Sequence, residues 1–415
     1  MTVFVPRTAP GDLVQLTGIV RHARFARAVV AAVREPGPGR VPPRCVHYER
    51  DRCGGCQLQH LDLVTQLEVK RAIVADALAR IGRLEVEVPP PVPAPEPWQY
   101  RSRITLTLGP GRRYAGFHPL DAPGRVFPLE QCHLAAAPLM DLWRGVEPLL
   151  HLLPADTAQL MLRVDRAGGL HLVVLAAGQK AWTDGPRLRT RLAERGVTAT
   201  VWWQPEGGAL RVVSGDREAV PATVFEQVHP GMGDRIRAFA VAALGAVAGR
   251  RVWDLYAGIG ETSEALHALG AEVESVELDA RAVDVGERLW RAAGHLREES
   301  QRPEGGVTRH QGRVEDLVAT MHHPDAVIAN PPRAGIARPV LDLLRARRPA
   351  RIVYVSCDPA TLARDLGVLC GTLTSSAEPS GRRAAEPPGY RLVTVQPFDL
   401  FPETAHVEAV AVLEA

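Results

Sequence analysis

The sequence contains few cysteines and no long apolar run. Only six of its 415 residues are cysteine, which is too few for a disulfide scaffold and favours a cytoplasmic protein. The stretch Met1 to Asp12 is too polar for a signal peptide. The longest apolar run, Ala238 to Ala248, is far too short to cross a bilayer. We therefore expect no membrane partner, and a chain long enough for two or three domains with cores of their own.

Net charge is also small, at +2, but it is unevenly distributed. Residues 1–53 contain nine arginines and four acidic residues, a balance of +5, which leaves −3 for residues 54–415. An arginine-rich module on a near-neutral body is typical of a protein that holds a polyanion at one end. A solvated basic surface would give the same pattern, so charge alone leaves both interpretations open.

The first 44 residues have the pattern of a small β module. Val3–Val5, Leu13–Val20 and Ala28–Val33 are short β-type runs separated by Pro/Gly turns. A small OB-like barrel normally has about five strands. We therefore expect a partial barrel over 1–44, either incomplete or supported by the next domain.

Three of the six cysteines lie close together in the sequence. Cys45, Cys53 and Cys56 are followed much later by Cys132, the one remaining cysteine outside the C-terminal half. Two glycines between Cys53 and Cys56 let the backbone turn tightly around a metal centre. Four thiolates suit either structural zinc or an iron–sulfur cluster, and the spacing alone does not decide between them.

A helix and a proline-rich stretch follow the first three cysteines. Residues 61–82 predict an amphipathic helix that completes a unit over 45–84. Its apolar stripe comprises Leu63, Leu67, Ile73, Leu78 and Ile81. Six prolines from Pro89 to Pro97 predict a stiff, extended linker.

Residues 85–220 predict a mainly β central domain, since short β-type runs and turns recur along them. Arginines interleave with aromatic residues on its first predicted strands, a mixture that suits single-stranded nucleic acid, although ordinary sheet faces can also carry it. These residues are Tyr100, Arg101, Arg103, Arg112, Arg113, Tyr114 and Phe117.

Residues 221–415 alternate strand-type with helix-type segments. The strand-type runs are Val252–Tyr256, Glu272–Glu277, Ala326–Ala329 and Ile352–Ser356. Such alternation predicts an α/β domain built on a doubly wound, Rossmann-like parallel sheet. In that architecture ligands bind at the carboxyl ends of the strands.

The segment Asp254-Leu-Tyr-Ala-Gly258-Ile-Gly260 follows the first of these strands. It has two glycines of a nucleotide-binding loop but lacks the third, and Glu261 would repel a pyrophosphate at the helix start. Glu277 ends the second strand, where a carboxylate can accept both ribose hydroxyls. A ribose carboxylate without phosphate recognition predicts a site for S-adenosylmethionine.

Two further motifs follow later strands at the same predicted edge. Asn330-Pro-Pro-Arg333 is a stiff loop that could hold a flipped base. Methyltransferases that act on exocyclic amines carry a similar Asn-Pro-Pro, usually followed by an aromatic residue where this chain has Arg333. Cys357 precedes a helix that begins at Asp358-Pro359, and a helix N-terminus favours thiolate. An inert, buried cysteine is the alternative interpretation.

Together these motifs resemble the RNA uracil-5-methyltransferases, in the branch with a TRAM-type barrel and a 4Fe–4S cluster. The resemblance covers nearly the whole chain. It rests on Cys53-Gly-Gly-Cys56-Gln-Leu-Gln-His60, Asp254-Leu-Tyr-Ala-Gly-Ile-Gly260, Asn330-Pro-Pro-Arg-Ala-Gly335, Tyr354-Val-Ser-Cys-Asp-Pro-Ala-Thr-Leu-Ala-Arg-Asp365 and Phe401-Pro-Glu-Thr-Ala-His-Val-Glu408.

The resemblance implies residue roles. It implies that Cys357 is the nucleophile and Glu408 the base. For the methyl donor it implies Gln227, Tyr256, Glu277 and Asn330, to which the glycine loop itself adds Asp254, Gly258 and Gly260. It also selects an iron–sulfur cluster over zinc for Cys45, Cys53, Cys56 and Cys132.

The chain departs from the family pattern at four places. Asn330 stands where the family usually has Asp, which removes a negative charge beside a cationic donor. His229 stands where the family usually has Asn. The gap between Cys45 and Cys53 is longer than usual. The barrel begins at the family's Val-Phe-Val-Pro stretch, here Val3 to Pro6, so the resemblance also implies a partial TRAM module.

The implied reaction has a clear chemical logic. Carbon 5 of uracil is too weak a nucleophile to take a methyl group unaided, so the Cys357 thiolate would add to carbon 6 and Glu408 would later remove the carbon 5 proton. The resemblance favours 23S ribosomal RNA over tRNA as the partner, and we expect a monomer. Two alternatives are a non-catalytic iron–sulfur RNA-binding protein and a methyltransferase that acts on an amino group through the Asn-Pro-Pro loop.

Overall fold

The computed structural model describes residues 1–178, 182–216, 226–292, 306–373 and 388–415. Three sheets organise these residues. No helix in these ranges is long and apolar enough to cross a membrane. The predicted division between the central and C-terminal domains, at 220/221, lies outside the described residues.

The first sheet has three strands in the order β1-β3-β2. Their bounds are β1 Thr2–Phe4, β2 Leu13–Arg21 and β3 Phe25–Glu35. The sheet is supported by the segment that follows it, since Arg40 donates to the Asp12 carboxylate at 2.5 Å and the guanidinium of Arg7 lies 4.0 Å from the Tyr48 ring centre. The three predicted strands are therefore present, and the module that contains them is held by contacts with residues 40–48.

The next segment contains a short helix α1, Val46–Glu49, and a long helix α2, Leu63–Ala77, which ends in a π-helical turn, Leu78–Gly82. The predicted helix is in the right place, but only part of its predicted apolar stripe is buried: Leu78 lies in the core and Ile73 packs against it, whereas both ends of the stripe are exposed. Leu63 is 42% exposed and Ile81 is 40% exposed. The α2 residues that are buried are Gln66, Lys70, Val74 and Ala77. Two polar side chains can be buried because each finds partners on a C-terminal loop, as described below.

The second sheet has seven strands in the order β10-β9-β8-β7-β4-β5-β6. Helices α3 and α4 cover one face of it and share its apolar core. The bounds are β4 Arg103–Leu108, β5 Ala115–Phe117, β6 Phe127–Pro128, α3 Ala137–Val146, β7 Thr157–Val164, β8 Leu170–Ala176, α4 Gly185–Glu194, β9 Thr200–Gln204 and β10 Arg211–Ser214. This is the mainly β region that the sequence predicts.

One detail of that prediction is wrong. The sequence pattern places Tyr100 and Arg101 on the first strand of the central domain, but β4 begins only at Arg103. The Tyr100 side chain is buried and donates to the Pro402 carbonyl at 3.0 Å. It therefore packs between domains and does not offer a ring to a base.

The third sheet has seven strands in the order β13-β12-β11-β14-β15-β17-β16. The first five are parallel and β17 is antiparallel to both β15 and β16. The bounds are α5 Pro230–Ala243, β11 Arg251–Leu255, α6 Glu261–Ala268, β12 Glu272–Glu277, α7 Ala280–Ala292, β13 Val307–Gln311, α8 Val314–Leu317, β14 Ala326–Ala329, α9 Arg338–Arg347, β15 Arg351–Ser356, α10 Pro359–Leu369, β16 Arg391–Phe398 and β17 Glu408–Glu414. The doubly wound α/β prediction is confirmed.

Both faces of this sheet are covered, as a mainly parallel sheet requires. Helices α5 and α6 pack on one face, and α8, α9, α10 and the end of α2 pack on the other. Trp253 and Tyr354 are fully buried in the second of these layers. The N-terminal half of the chain is thus part of the core of the C-terminal sheet.

The proline-rich stretch also packs on this sheet and is not a free spacer. The Val92 amide donates to the Pro397 carbonyl and the Asp399 amide donates to the Val92 carbonyl, both at 2.9 Å. Prolines suit such an edge position because only one residue has to provide the ladder hydrogen bonds. The linker therefore leads the chain along the edge strand β16 to the central domain.

Candidate active site

The site lies where β11, β12, β14 and β15 end. These four strands are parallel neighbours, so their carboxyl ends meet at one edge. Tyr256, immediately after β11, has φ +63°. A bulky residue in the left-handed region is uncommon and marks a sharp, constrained turn at this edge.

The glycine loop after β11 is fixed by Glu277. One carboxylate oxygen of Glu277 accepts from the Gly258 amide at 2.8 Å, and the other accepts from the Asp279 amide at 2.8 Å. Gly260 has φ +86°, and a Cβ there would collide with the guanidinium of Arg309. The loop therefore needs glycine, and Glu277 keeps free lone pairs beside it for a ligand hydroxyl.

Asp254 lies in β11, one residue before the end of the strand. Its side chain is buried and accepts from the Ser263 hydroxyl at 2.5 Å, which ties β11 to α6. Burial raises the pKa of Asp254 to about 6. In the described structure Asp254 thus supports the glycine loop through Ser263.

Glu261, at the start of α6, does not act as a free negative charge. Arg237 donates to one of its oxygens at 2.6 Å, and Arg166 lies 3.2 Å from the other. Arg166 belongs to the turn between β7 and β8 of the central sheet. The repulsion that the sequence suggested between Glu261 and an anionic ligand is therefore offset by two arginines.

Two other predicted donor residues lie at the same edge, Tyr256 directly after β11 and Asn330 directly after β14, while Gln227 precedes α5. Tyr256 and Gln227 are half-buried, and Asn330 is exposed. The backbone N–H of Asn330, directly after β14, donates to the Leu255 carbonyl at 3.2 Å. His229 is buried and stacks on Tyr100, with ring centres 4.9 Å apart. Burial lowers the pKa of His229, so the ring is neutral at physiological pH.

Cys357 lies between β15 and α10, as predicted. Asp358 caps α10, since its carboxylate accepts from the Thr361 amide at 2.9 Å. The thiol is half-buried, and its pKa is raised by burial and by Glu408, while Arg333 acts in the opposite direction. Burial of the thiol therefore opposes the ionisation that a helix N-terminus favours.

Glu408 reaches the same place from the antiparallel strand β17. Ala409 pairs with Ser356, and Glu408 itself pairs with Phe398 of β16. Its side chain is only 2% exposed, and its Oε2 has no hydrogen-bond partner among the described residues. Burial raises its pKa to about 8, and the positive charge of Arg333 lowers it. A buried carboxyl that ionises near neutral pH is suited to proton transfer.

Arg333 is the functional candidate that sequence reasoning missed. Its charge acts on both Cys357 and Glu408, so the three side chains form one electrostatic group. In the sequence, Arg333 stands out only because it occupies the place of an aromatic residue after Asn-Pro-Pro. One sequence signal could have identified it. Arg333 follows a stiff Pro-Pro pair at the predicted sheet edge, where Cys357 is also expected.

Helix α10 fixes the loop that carries Arg333. The Asp365 carboxylate, fully buried, accepts from the Tyr354 hydroxyl at 2.7 Å and from the Ile336 amide at 2.9 Å. The Thr361 hydroxyl donates to the Arg333 carbonyl at 3.0 Å. Loop and nucleophile therefore share one support, since Cys357 directly precedes the same helix.

The four cysteines of the first half line one cavity of about 590 Å³. Cys56 is buried, and Cys45, Cys53 and Cys132 are half-buried. Burial raises the pKa of Cys53 to about 11 and that of Cys45 in the same direction, with smaller contributions from the neighbouring thiols. Within the described residues, no group of three cysteine, histidine or acidic side chains is close enough to hold a single metal ion.

Comparisons with known proteins agree with this arrangement. The model of the tRNA (uracil-5-)-methyltransferase family matches residues 298–415, the part with Asn330, Cys357 and Glu408. A protein named as an RNA methyltransferase from Thermosynechococcus vestitus is 31% identical, over 99% of this chain and 92% of the relative. The 23S rRNA (uracil(1939)-C(5))-methyltransferase RlmD of Shewanella sp. strain MR-7 is 30% identical, over 99% of this chain and 90% of the relative.

A solved structure extends the likeness to the whole fold. The tRNA (uracil-54, C5)-methyltransferase of Pyrococcus abyssi, in complex with S-adenosyl-L-homocysteine, aligns over 99% of this chain and 95% of its own, with a TM-score of 0.68 and 22% identity. The doubly wound sheet and these relatives define an RNA methyltransferase. More narrowly, the chain belongs to the RNA (uracil-5-)-methyltransferase family.

Proposed function

We propose that this protein methylates carbon 5 of a uridine in RNA, 23S ribosomal RNA in particular, with S-adenosylmethionine as the donor. The observation that supports it best is the group of Cys357, Arg333 and Glu408 beside the glycine loop. A thiol, a cation and a carboxyl of raised pKa are the groups that addition to carbon 6 and proton removal from carbon 5 require. The relatives named for 23S rRNA supply the RNA class.

In this reaction Cys357 acts first. Its thiolate adds to carbon 6, and the positive charge of Arg333 stabilises the thiolate before it reacts. The ring then carries an enolate, and carbon 5 attacks the methyl group of the donor. Glu408, ionised, removes the proton on carbon 5, the carbon 5–carbon 6 double bond forms, and the thiolate leaves.

The donor is assigned to the strand edge at residues 254–260. Glu277 would accept from the ribose hydroxyls, with Gly258 and Gly260 allowing close approach of the backbone. Gln227, Tyr256 and Asn330 would line the rest of the site. Asp254 supports the loop through Ser263.

We further propose a 4Fe–4S cluster on Cys45, Cys53, Cys56 and Cys132. An all-cysteine donor set in one cavity suits iron–sulfur or zinc. The cavity does not distinguish the two metals, and the resemblance to the iron–sulfur branch of the family favours the cluster, for which Cys45, Cys53, Cys56 and Cys132 would supply four thiolates. The cluster would keep the four thiols deprotonated, against the pressure of burial.

We assign RNA contact to the N-terminal sheet, for which the resemblance implies a TRAM module. There His22 stacks on Phe25 with ring centres 4.4 Å apart, and Phe4 contacts Phe25 edge-on at 5.5 Å. The Arg27 guanidinium lies 5.8 Å from the Phe25 ring centre. Phe4 and His22 are exposed and Phe25 is half-buried, and aromatic rings among arginines suit unpaired bases and phosphates.

A covalent trap tests the proposal. With 23S rRNA transcribed in vitro with 5-fluorouridine, the wild-type protein and S-adenosylmethionine should form an adduct that survives denaturation, because fluorine cannot leave carbon 5 as a proton does. Cys357→Ala should abolish both the adduct and methyl transfer to normal RNA. Cys370→Ala, which changes another half-buried cysteine, is the matched control and should leave both intact.

The outcomes separate the candidate functions. Methylation that persists in Cys357→Ala would favour a reaction on an amino group. RNA binding by the wild type without trapping or methylation, on 23S rRNA and on tRNA transcripts, would favour a binding protein without this activity.

A further inference from the structure

The loop that joins β16 to β17, residues 399–407, leads directly into Glu408. Phe398, the last residue of β16, pairs with Glu408 across this β16–β17 loop. Any shift of the loop at either end would therefore move the carboxyl of Glu408 relative to Cys357. What holds this loop is accordingly relevant to the chemistry.

The N-terminal half of the chain holds it. Between Phe401 and Ala405 the loop's backbone groups are bound by residues that lie three hundred or more positions earlier. The bonds are Lys70 Nζ to Phe401 O (2.9 Å), Tyr100 OH to Pro402 O (3.0 Å), Gln57 N and Leu58 N to Glu403 O (3.1 and 3.0 Å), Glu403 N to Gln66 Oε1 (3.1 Å) and Ala405 N to Gln57 Oε1 (3.3 Å).

Lys70 contacts the loop both through an ion pair and through a hydrogen bond. Its ammonium pairs with the carboxylate of Asp399, the first residue of the loop, and both side chains are fully buried. Lys70 is one of two lysines among the 49 basic residues of the chain. A compact ammonium with three donors can serve Asp399 and the Phe401 carbonyl together, whereas the planar fork of arginine would need more room.

Gln66 adds a second attachment one turn earlier on α2. Its amide oxygen accepts from the Glu403 amide, and its amide nitrogen donates to the Glu403 carboxyl at 3.1 Å. Gln66 is also buried. The polar face of α2 thus matches the β16–β17 loop at both its start and its middle.

We propose that Lys70 and Gln66 are positioning residues for proton removal from carbon 5. They hold the β16–β17 loop so that Glu408 meets the carbon 5 proton. This inference rests on the proposed function. It assigns them to one step: Glu408 takes the proton, the freed electron pair forms the carbon 5–carbon 6 double bond, and the carbon 6–sulfur bond breaks. Addition of Cys357 depends on β15 and α10, and among the described residues the polar groups of Lys70 and Gln66 make no hydrogen bond to either element.

Lys70→Met in the full-length, metal-loaded protein tests the inference. Turnover on 23S rRNA transcripts should fall on the order of 100-fold, as expected when a reacting group is displaced by about 1 Å. The rate of trapping by 5-fluorouridine RNA should stay within about twofold, since addition and methyl transfer precede the affected step. With normal RNA, the methylated covalent adduct should accumulate, and donor affinity by calorimetry should not change.

Arg80→Met is the matched control. Arg80 lies in the π-helical turn after α2, its side chain is 79% exposed, and it pairs with Asp76 on the surface. The inference predicts wild-type turnover and no accumulated adduct for it. Equal accumulation in this variant would overturn the inference.

Two results for Lys70→Met would overturn the inference. One is wild-type turnover in a folded variant. The other is a parallel fall of trapping and turnover, which would indicate general loss of structure. If the variant does not fold because Asp399 is left unpaired, the double variant Lys70→Met/Asp399→Leu removes both charges and takes its place, with the same expected pattern. Wild-type protein that neither traps nor methylates would instead refute the proposed function.

Discussion

Arg333 and Glu408 act on the Cys357 thiol with opposite charges. Burial has the largest effect on the pKa of both Cys357 and Glu408. Cys357 is half-buried and Glu408 is almost fully buried. The side chains of Cys357 and Glu408 therefore both stay protonated at pH values well below 7. Both must be ionised at different moments of the proposed reaction, and Arg333 is the neighbouring charge that favours both ionised forms.

The raised pKa of Glu408 predicts a pH dependence. A base must be deprotonated to act, so breakdown of the methylated adduct should accelerate as pH rises towards about 8 and then level off. Single-turnover kinetics between pH 6 and 9 would measure this breakdown. In Glu408→Gln the adduct should form but persist at every pH. A breakdown rate that is flat from pH 6 to 9 in the wild type would contradict the assignment of Glu408 as the base.

A measurement of stability provides an independent control. Because the folded-state pKa of Glu408 lies above its unfolded value, its contribution to folding is present at low pH and is lost as pH rises through about 8. Glu408→Gln should therefore be more stable than the wild type at pH 9, by on the order of 2 kcal/mol. At pH 5 the two should differ little in their free energy of unfolding by urea.

At the scale of elements, the sequence predicted the parts with strong local patterns. The strands that end at Leu255, Glu277, Ala329 and Ser356 are apolar runs, and their order along the chain was enough to predict one functional edge. Strand β13, Val307–Gln311, was missed because it lies at the sheet edge and reads as a polar segment. The partners of Glu408 and of α2 were missed because they depend on contacts across most of the chain.

The buried face of α2 shows why periodicity misled. The apolar positions Leu63 and Ile81 are exposed, whereas Gln66 and Lys70 are buried. A hydrophobic stripe predicts the core face only when the partner surface is apolar. Here the partner includes a polar loop whose backbone groups need donors and acceptors, and only the folded chain reveals that requirement.

The loop between β14 and α9 offers a test at this scale. Gly335 has φ +82°, and a Cβ there would collide with Thr361 and the Asp365 carboxylate. Gly335→Ala should cost about 1–3 kcal/mol of folding stability and displace Arg333. Trapping and methylation should then fall together, because Arg333 supports the first step. Thermal unfolding and the 5-fluorouridine assay would measure the two effects.

Gly124→Ala is the control for this substitution. A Cβ at Gly124 would meet no atom within 4 Å, and its φ is not in the left-handed region. It should leave both stability and trapping near wild-type values. If Gly335→Ala keeps the wild-type trapping rate, the position of the Arg333 loop does not limit the first step.

At the scale of the whole molecule, the first hundred residues are part of the catalytic half. Residues 57–70 hold the β16–β17 loop, and α2 packs in the core below β15. Cys56 immediately precedes Gln57, whose amide and side chain both bind that loop. The cysteine cavity is thus linked through Gln57 to the loop that carries Glu408, although the sequence places the two in different domains.

This continuity makes the metal content a test of the whole arrangement. Cys132 lies between β6 and α3 of the central domain, whereas the other three cysteines lie between residues 45 and 56. A cluster on all four would join the two segments.

Anaerobically purified protein should be brown and contain about four irons per chain. Cys132→Ala should lose most of that iron and unfold at a lower temperature, while Cys370→Ala should keep both properties of the wild type. Stoichiometric zinc without iron in the wild-type protein would refute the cluster and leave a structural zinc site in its place.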